Sequence, residues 1–454
     1  MKQYKLHLLI FLSIQFITSS ILAQKPSGGG HYQTQASECV PESLRLQIEQ
    51  DLKKNIAELK AAGKLKPTKK TRAVGWEWPL KQATGFDYCS YYGVSNFVDH
   101  NTNYPNLLED YNCGTRTYDL NTGYNHGGID IFLWPFDWNM KDANQVEIIA
   151  AAPGVIVGKY DGNPDTNCNF SNPNWNAVYI QHSDGSIAWY GHMKMGSTTT
   201  KPIGASVVTG EKIGLVGSSG SSSGPHLHFE LHDAANNLID PYNGSCNQIT
   251  SWWNTQKPYY EPTINAALTH KSPPVFNPCP APATTNIKDT FAANDTLYVC
   301  AYYHDHQQGQ IANYTIYRPD NSVFSTWTHS PNQTYSASYW YWYYILPNSP
   351  MLGTWRFQVQ LQGQTCEHAF EVIDPFIAAG INETSIPKVI ISPNPAKHFL
   401  NVQNAIFSIE LYSMFGQKVC EFNPNSIIDI SNVPNGIYLL KSGVQYQKLV
   451  IQHE

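Results

Sequence analysis

Hydrophobic and polar positions alternate through the end of the stretch 217–232, GSSGSSSGPHLHFELH. His226, His228, Glu230 and His232 fall on one side, and Leu227, Phe229 and Leu231 on the other, which predicts a half-buried strand. The same period, interrupted by Gly, Asn and Pro turns, predicts strands at 147–152, 154–159, 177–182, 187–192 and 212–216. It returns at 295–302, 313–318 and 353–361. One stretch has helical spacing instead: over 41–62, Leu44, Ile48, Leu52, Ile56 and Leu59 form a stripe with charges between them, ended by Gly63 and Pro67. The fold class expected is mainly β. An antiparallel β-sheet domain at 74–262 is followed by a β-sandwich of roughly immunoglobulin size at 285–375 and a small β domain at 391–454, with a short N-terminal helix ahead of them. Residues 263–284, Pro-rich from 271, and 376–390 read as linkers, and 24–73 as a helical pro-segment or linker.

The N-terminus adds a compartment. Lys2 and Lys5 precede an apolar run over 8–22 that ends among Ser19, Ser20 and Ala23, the pattern of a signal peptide over 1–23. The run is shorter and more interrupted than a membrane span prefers, and no later run is long enough, so no stable membrane span is expected. A balance of 29 Lys and Arg against 35 Asp and Glu gives no nucleic-acid footprint and no polybasic membrane patch. The basic stretch 64–72, with Lys69, Lys70 and Arg72, reads either as a protease-sensitive hinge after the helix or as a solvated linker.

Nine cysteines in an exported chain point to disulfides. With Cys420 set apart in the last segment, the other eight, Cys39, Cys89, Cys113, Cys168, Cys246, Cys279, Cys300 and Cys366, can pair completely. Cys89 with Cys113 and Cys300 with Cys366 are the favoured pairs. The absence of Cys-x-x-Cys argues against a structural zinc knuckle. In the sandwich, YWYWYY at 339–344 reads as core with cross-strand aromatic pairing, or as a face on which sugar rings stack. His304-Asp305-His306, beside Gln307-Gln308-Gly309, reads as an exposed turn.

Two imidazoles at i and i+2 on a strand can reach one point, so His226 and His228 could hold a metal, a catalytic pair, or one of each. A partner lies about a hundred residues earlier in Asn125-His126-Gly127-Gly128-Ile129-Asp130. On a straight strand His126 and Asp130 would stand roughly 13 Å apart, and the two glycines allow the backbone to bend and bring them together. Zinc accepts imidazole nitrogen and carboxylate oxygen, and a catalytic zinc has three protein ligands with a fourth position for water. His126, Asp130 and one of His226 and His228 supply such a set. Between the two motifs, the predicted strand 187–192 ends in His192. His182 and His232 match none of these positions and read as surface residues, or else as supports behind the site residues, with the surface preferred.

In this order HGGID, YGHM and SGSSSGPHLHFE resemble the lysostaphin-type zinc metalloendopeptidases, also called LytM-like or LasA-like, over about 123–231. Ala151-Ala152-Pro153-Gly154 fits that family's A-x-x-G turn. The resemblance implies a secreted hydrolase with Zn2+ held by His126, Asp130 and His228. His226 would face the attacking water or the transition state, with His192 as its companion. No HExxH glutamate is present, so these two histidines carry the proton and oxyanion work. The implied substrate is a peptide bond in peptidoglycan, often at or near glycine, or a Gly-rich protein. Segments 86–113 and 161–176 exceed a minimal core and are expected to shape a substrate groove, with the small residues before His226 as one wall. Finally, SPNP at 392–395, LYSMFGQKV at 411–419 and IDISNVPNGIYLLKS at 428–442 closely resemble the C-terminal sorting domain of type IX secretion cargo. That resemblance implies the type IX secretion machinery as a partner and a secreted or surface-attached product. Two other readings stand beside the enzyme: a non-catalytic wall-binding or regulatory protein of the same fold, and a glycan-binding surface adhesin built on the sandwich.

Overall fold

The computed structural model describes residues 24–31, 38–66, 75–168, 170, 172–374, 389–405, 407–414, 416–424, 427–443 and 445–453. The expected signal peptide, the stretch 67–73 of the expected pro-segment and most of the expected linker 376–390 lie outside them. The chain is mainly β and divides into two compact units, one over 1–347 with 353–371 and one over 348–352 with 372–454.

In the first unit the site is carried by one antiparallel sheet. Its order is Tyr92–Asn96, Ile129–Leu133, His226–His232, Ile187–Gly191, Ala177–Gln181, Gly154–Tyr160, Ser206–Val207, with Leu238–Ile239 paired to the third strand. Alternation gives this sheet two different faces. Ile129, Ile131, Val178, Ile180, Ala188, Tyr190, Leu227, Phe229 and Leu231 enter one core with Trp76 and Trp253. Ala177, Tyr179, Ile187 and Trp189 point the other way and pack in a second cluster with Leu44, Ile48, Leu52 and Leu59 of the helix Glu42–Ala61. The predicted helical stripe thus covers the second face. As a result the strand His226–His232 is buried at every position rather than half-buried.

The sandwich packs against this sheet within the same unit. One of its sheets has the order Gly28–His31, Tyr335–Ile345, Thr296–His306, Thr263–His270, and the other runs Thr290–Phe291, Gln364–Val372, Gly353–Leu361, Ala312–Tyr317, Val323–His329. Thr263–His270, expected as linker, is a strand because Ile264, Ala266, Ala267 and Leu268 are apolar enough to be buried there. Phe132, Trp134 and Phe136 form one cluster with Leu268, Tyr302 and Ala337, so apolar packing continues from the site-bearing sheet into the sandwich. The aromatic run has Trp342 buried and Tyr343 exposed, and Tyr298 pairs across strands with Tyr343 and Tyr341.

Three expectations are corrected. His304, Asp305 and His306 are buried at the end of a strand that pairs with Tyr335–Ile345, and Asp305 receives both Arg116 terminal nitrogens at 3.0 and 2.7 Å. A cation from outside the sandwich draws the carboxylate inward, and the predicted turn begins only after it. The disulfides are Cys89–Cys366, Cys113–Cys246 and Cys168–Cys279, while Cys39, Cys300 and Cys420 are free among the described residues. Neither favoured pair forms, because partners are chosen by tertiary proximity across up to 277 positions. His182 and His232 are buried, not at the surface: His182 Nδ1 donates to the Pro153 carbonyl, and His232 stacks on Trp189.

The second unit closes a core of Leu400, Val402, Ile409, Leu411, Leu440 and Leu449 with strands of two small antiparallel sheets. Asn394 of the SPNP motif donates to the Lys448 carbonyl at 2.7 Å and accepts from Val450 N–H at 2.8 Å, which anchors the motif to the last strand.

Candidate active site and metal centre

Strand register places Asp130 and Gly191 on either side of His228 in neighbouring strands. His126 lies just before the Ile129–Leu133 strand, and its Nε2 comes within 3.1 Å of Asp130 Oδ2. The Gly-Gly between them has a packing reason: a Cβ on Gly128 would sit 2.5 Å from His228 Cε1. The three separated motifs therefore meet at one buried place.

Outer hydrogen bonds fix how the first three side chains face. His126 Nδ1 donates to the Phe97 carbonyl at 2.8 Å, turning Nε2 inward. His228 Nε2 donates to Glu230 Oε2 at 3.0 Å, turning Nδ1 onto Asp130 Oδ1 at 3.0 Å. Both imidazoles thus present one nitrogen to the same carboxylate, while a carbonyl or a second carboxylate holds the other nitrogen, as metal-binding histidines are held. Burial lowers the basicity of His126, but the Asp130 charge outweighs it and raises the group to about 9. His228 is likewise raised, against burial, by its hydrogen bonds to Asp130, Cys39 and Glu230. Burial also pushes Asp130 up, yet His126 and His228 hold it well below the usual carboxylate range. Two protons held around one buried carboxylate mark a place where a divalent cation can take over their role. His126 Nε2 is buried with no aligned hydrogen-bond partner, and donor atoms of His126, Asp130, His228 and Cys39 all lie within 4.8 Å of one another. Two imidazoles and a carboxylate fit zinc.

The other two histidines stand beside this group. His192 follows the strand Ile187–Gly191 in the left-handed region at φ 57°, with Nδ1 donating to the Ser219 carbonyl at 2.6 Å. His226 Nδ1 donates to the Gly224 carbonyl at 2.8 Å, and its Nε2 lies 3.7 Å from Asp130 Oδ1. The rings of His192 and His226 are 4.3 Å apart, and each keeps Nε2 on the site side. All five predicted site residues are brought together.

The small-residue run at 217–224, expected as a groove wall, supports the histidines from within. Ser218, Ser219, Ser221 and Ser222 are buried. Ser219 Oγ donates to the Met193 carbonyl and accepts from Asn176 N–H, which fixes the residue whose carbonyl holds His192, and Ser222 Oγ donates to the Gly224 carbonyl that holds His226. The extended segment 161–176 contributes Trp175, whose ring packs edge-on to His192 at 5.1 Å. Segment 86–113 contributes the Phe97 carbonyl, and Asn96 Nδ2 donates to Asp130 Oδ2 at 3.3 Å.

Sequence reasoning missed three residues here. Glu230 shares the polar face of the strand with the histidines, and periodicity alone assigns it no role. It is fully buried, and it accepts from His228, from His232 at 2.6 Å and from Arg45 of the N-terminal helix at 2.5 and 3.2 Å. Tyr118 stacks on His126 at 4.6 Å. Cys39, counted as a disulfide partner, lies 3.8 Å from Asp130 Oδ2.

Comparison with known proteins gives the class. Residues 125–241 match the model of peptidase family M23, and residues 390–452 match the secretion system C-terminal sorting domain. The chain therefore carries an M23 peptidase domain and a sorting domain that marks it for export to the cell surface or beyond. It is 40% identical over 106 residues to an uncharacterised metalloprotease of Buchnera aphidicola, covering 23% of each chain. It is 39% identical over 99 residues to the peptidoglycan DD-endopeptidase ShyC of Vibrio cholerae, covering 22% of each. These matches span under a quarter of those relatives. Among solved structures, the catalytic domain of the antimicrobial peptidase lysostaphin from Staphylococcus simulans is similar at 26% identity, with 28% of this chain and 83% of that one covered and a TM-score of 0.20.

Proposed function

We propose that this chain is an exported zinc-dependent endopeptidase that hydrolyses peptide bonds in peptidoglycan cross-links or Gly-rich peptides. His126 Nε2, an Asp130 carboxylate oxygen and His228 Nδ1 would hold the metal. When bound, zinc lowers the pKa of a water and polarises the scissile carbonyl. His192 and His226, fixed through Nδ1, present Nε2 to the same place, where one takes a proton from the attacking water and the other stabilises charge developing on the carbonyl oxygen. Glu230 keeps His228 in the tautomer that leaves Nδ1 for the metal. No side chain of the group serves as a covalent nucleophile.

The observation that carries this reading is the convergence of HGGID, YGH and HLH on one buried carboxylate, with an outer partner on each of the four imidazoles. A non-catalytic relative has no need of all five groups so oriented. The name of the ShyC relative supports a wall peptide as substrate, and the sorting domain supports a route through the type IX secretion machinery. Mass spectrometry of products from purified peptidoglycan and from pentaglycine, with and without a chelator, tests the proposal. Cleavage that stops on chelation and returns with zinc is expected. Metal-free protein that cleaves equally well overturns it.

A further inference from the structure

Cys39 is the one described cysteine that is both free and among metal-type donors. Its Sγ belongs to two groups at once: with His126, Asp130 and His228, and with His192 and His226. It is 3.8 Å from Asp130 Oδ2, 3.9 Å from His226 Nε2 and 3.1 Å from the Tyr118 hydroxyl. The sulfur therefore stands where the three ligands and the two proton-handling histidines meet, the place a water and a scissile carbonyl need. Cys300 is the contrast, a free and buried thiol in an apolar cluster with Tyr302 and Ala337.

The segment that carries Cys39 is held down on both sides. Before it, Gly28–His31 pairs with the edge of the strand Tyr335–Ile345. After it, the helix Glu42–Ala61 buries Leu44, Ile48 and Leu52 against the sheet. Arg45 makes a two-pronged ion pair with Glu230, the residue that orients His228, and its guanidinium lies over the Trp189 ring at 5.4 Å. Under this segment Cys39, His126, His192 and His228 are at most 3% exposed.

We infer that Cys39 is a fourth protein ligand of the metal, supplied in cis by the N-terminal segment, and that it holds the enzyme latent until the segment leaves. The inference rests on the zinc-site reading above. Its chemistry is a ligand exchange: the thiol gives its proton to solvent as sulfur joins the metal, and on release a water replaces the sulfur. Four protein ligands make a closed site of the structural kind, and three make an open one of the catalytic kind. The thiolate, as the softer donor, suits the closed form. Departure of the segment must also break the Arg45–Glu230 pair, so the same motion that opens the coordination position uncovers the face where a peptide would lie.

Cobalt in place of zinc tests this on the full chain, because cobalt–thiolate ligation gives a near-ultraviolet charge-transfer band that nitrogen and oxygen donors do not. The band is expected in the wild type and in the Cys300→Ser/Cys420→Ser variant, whose remaining free thiol is Cys39. It is expected to vanish in Cys39→Ser while one cobalt per chain stays bound. Cobalt bound to the double variant without the band overturns the inference and leaves the metal site standing. Failure of any form to bind cobalt overturns the metal-site reading and the inference with it. As a second readout, Cys39→Ser combined with Arg45→Ala, which releases both holds of the segment on the site, should cleave pentaglycine faster than the intact wild-type chain, and equal rates overturn the latency.

Discussion

His228 Nε2 donates to Glu230 Oε2 at 3.0 Å, although the two residues sit two apart on the same face of one strand. The carboxylate fixes the imidazole and, by its charge, strengthens Nδ1 as a donor. Glu230→Gln keeps the volume and an acceptor but removes the charge from a fully buried position. Metal affinity is expected to fall about 10- to 100-fold, the usual cost of losing a carboxylate behind a metal-binding histidine. Chelator competition measures it, and unchanged affinity would show that Glu230 serves to hold Arg45 and His232 rather than to tune His228.

The five site residues divide into two groups by what their loss removes. His126→Ala, Asp130→Ala and His228→Ala should each weaken metal binding steeply in the intact chain, and abolish stoichiometric metal at neutral pH when combined with Cys39→Ser. His192→Ala and His226→Ala should retain the metal and lose about 10²- to 10⁴-fold in turnover, the range for general acid–base groups. Metal content by mass spectrometry beside kcat on a cross-link peptide makes the comparison. Loss of metal in His192→Ala would move that residue into the ligand set.

Much of this arrangement is legible in the chain because strand periodicity is local. The period of two sorted Leu227, Phe229 and Leu231 from the four polar residues between and beside them, and the helical stripe from Leu44 to Leu59 marked the helix almost to its ends. What covers a face is not local. The polar side of the His226–His232 strand looks solvated until a helix about 180 positions earlier packs over it, and only then does Arg45 find Glu230. Cys39 misled because an exported chain rich in cysteine makes every cysteine look like half of a disulfide. His304 to His306 misled for a related reason: the following Gln and Gly do turn, but Arg116, nearly 190 positions away, is what keeps Asp305 inside.

The cysteine pattern gives an independent check on the fold. Unreduced, denatured full-length protein should titrate three thiols, from Cys39, Cys300 and Cys420. Peptide mapping should find Cys89 joined to Cys366, a bond across 277 positions that ties the site-bearing domain to the sandwich. Replacing that pair with Ser should cost about 2–5 kcal/mol, because the bond closes a long loop in the unfolded chain. A single thiol in the denatured chain would restore the complete pairing that the cysteine count suggests.

Three carbonyl-bonded histidines away from the metal centre make the first unit sensitive to acid, and burial lowers His329 to about 4 beside them. His182, His270 and His306 are buried, bonded to the carbonyls of Pro153, Thr285 and Gln310, and burial lowers each to about 4. An unfolded histidine titrates near 6.5, so between about 4 and 6.5 the unfolded chain binds protons that the folded chain refuses. Stability therefore rises with pH across that window and falls on acidification, by about 3 kcal/mol per histidine at its lower end. His126, raised to about 9, and His226 and His228, also raised, oppose this slope near the top of the window and are protonated in both states toward its lower end. Urea unfolding of the metal-free protein at several pH values should show the unfolding free energy dropping between pH 6.5 and 4.5. His182→Gln should remove up to one proton from that slope; a flat profile in the wild type would mean that these histidines open to water before the chain unfolds.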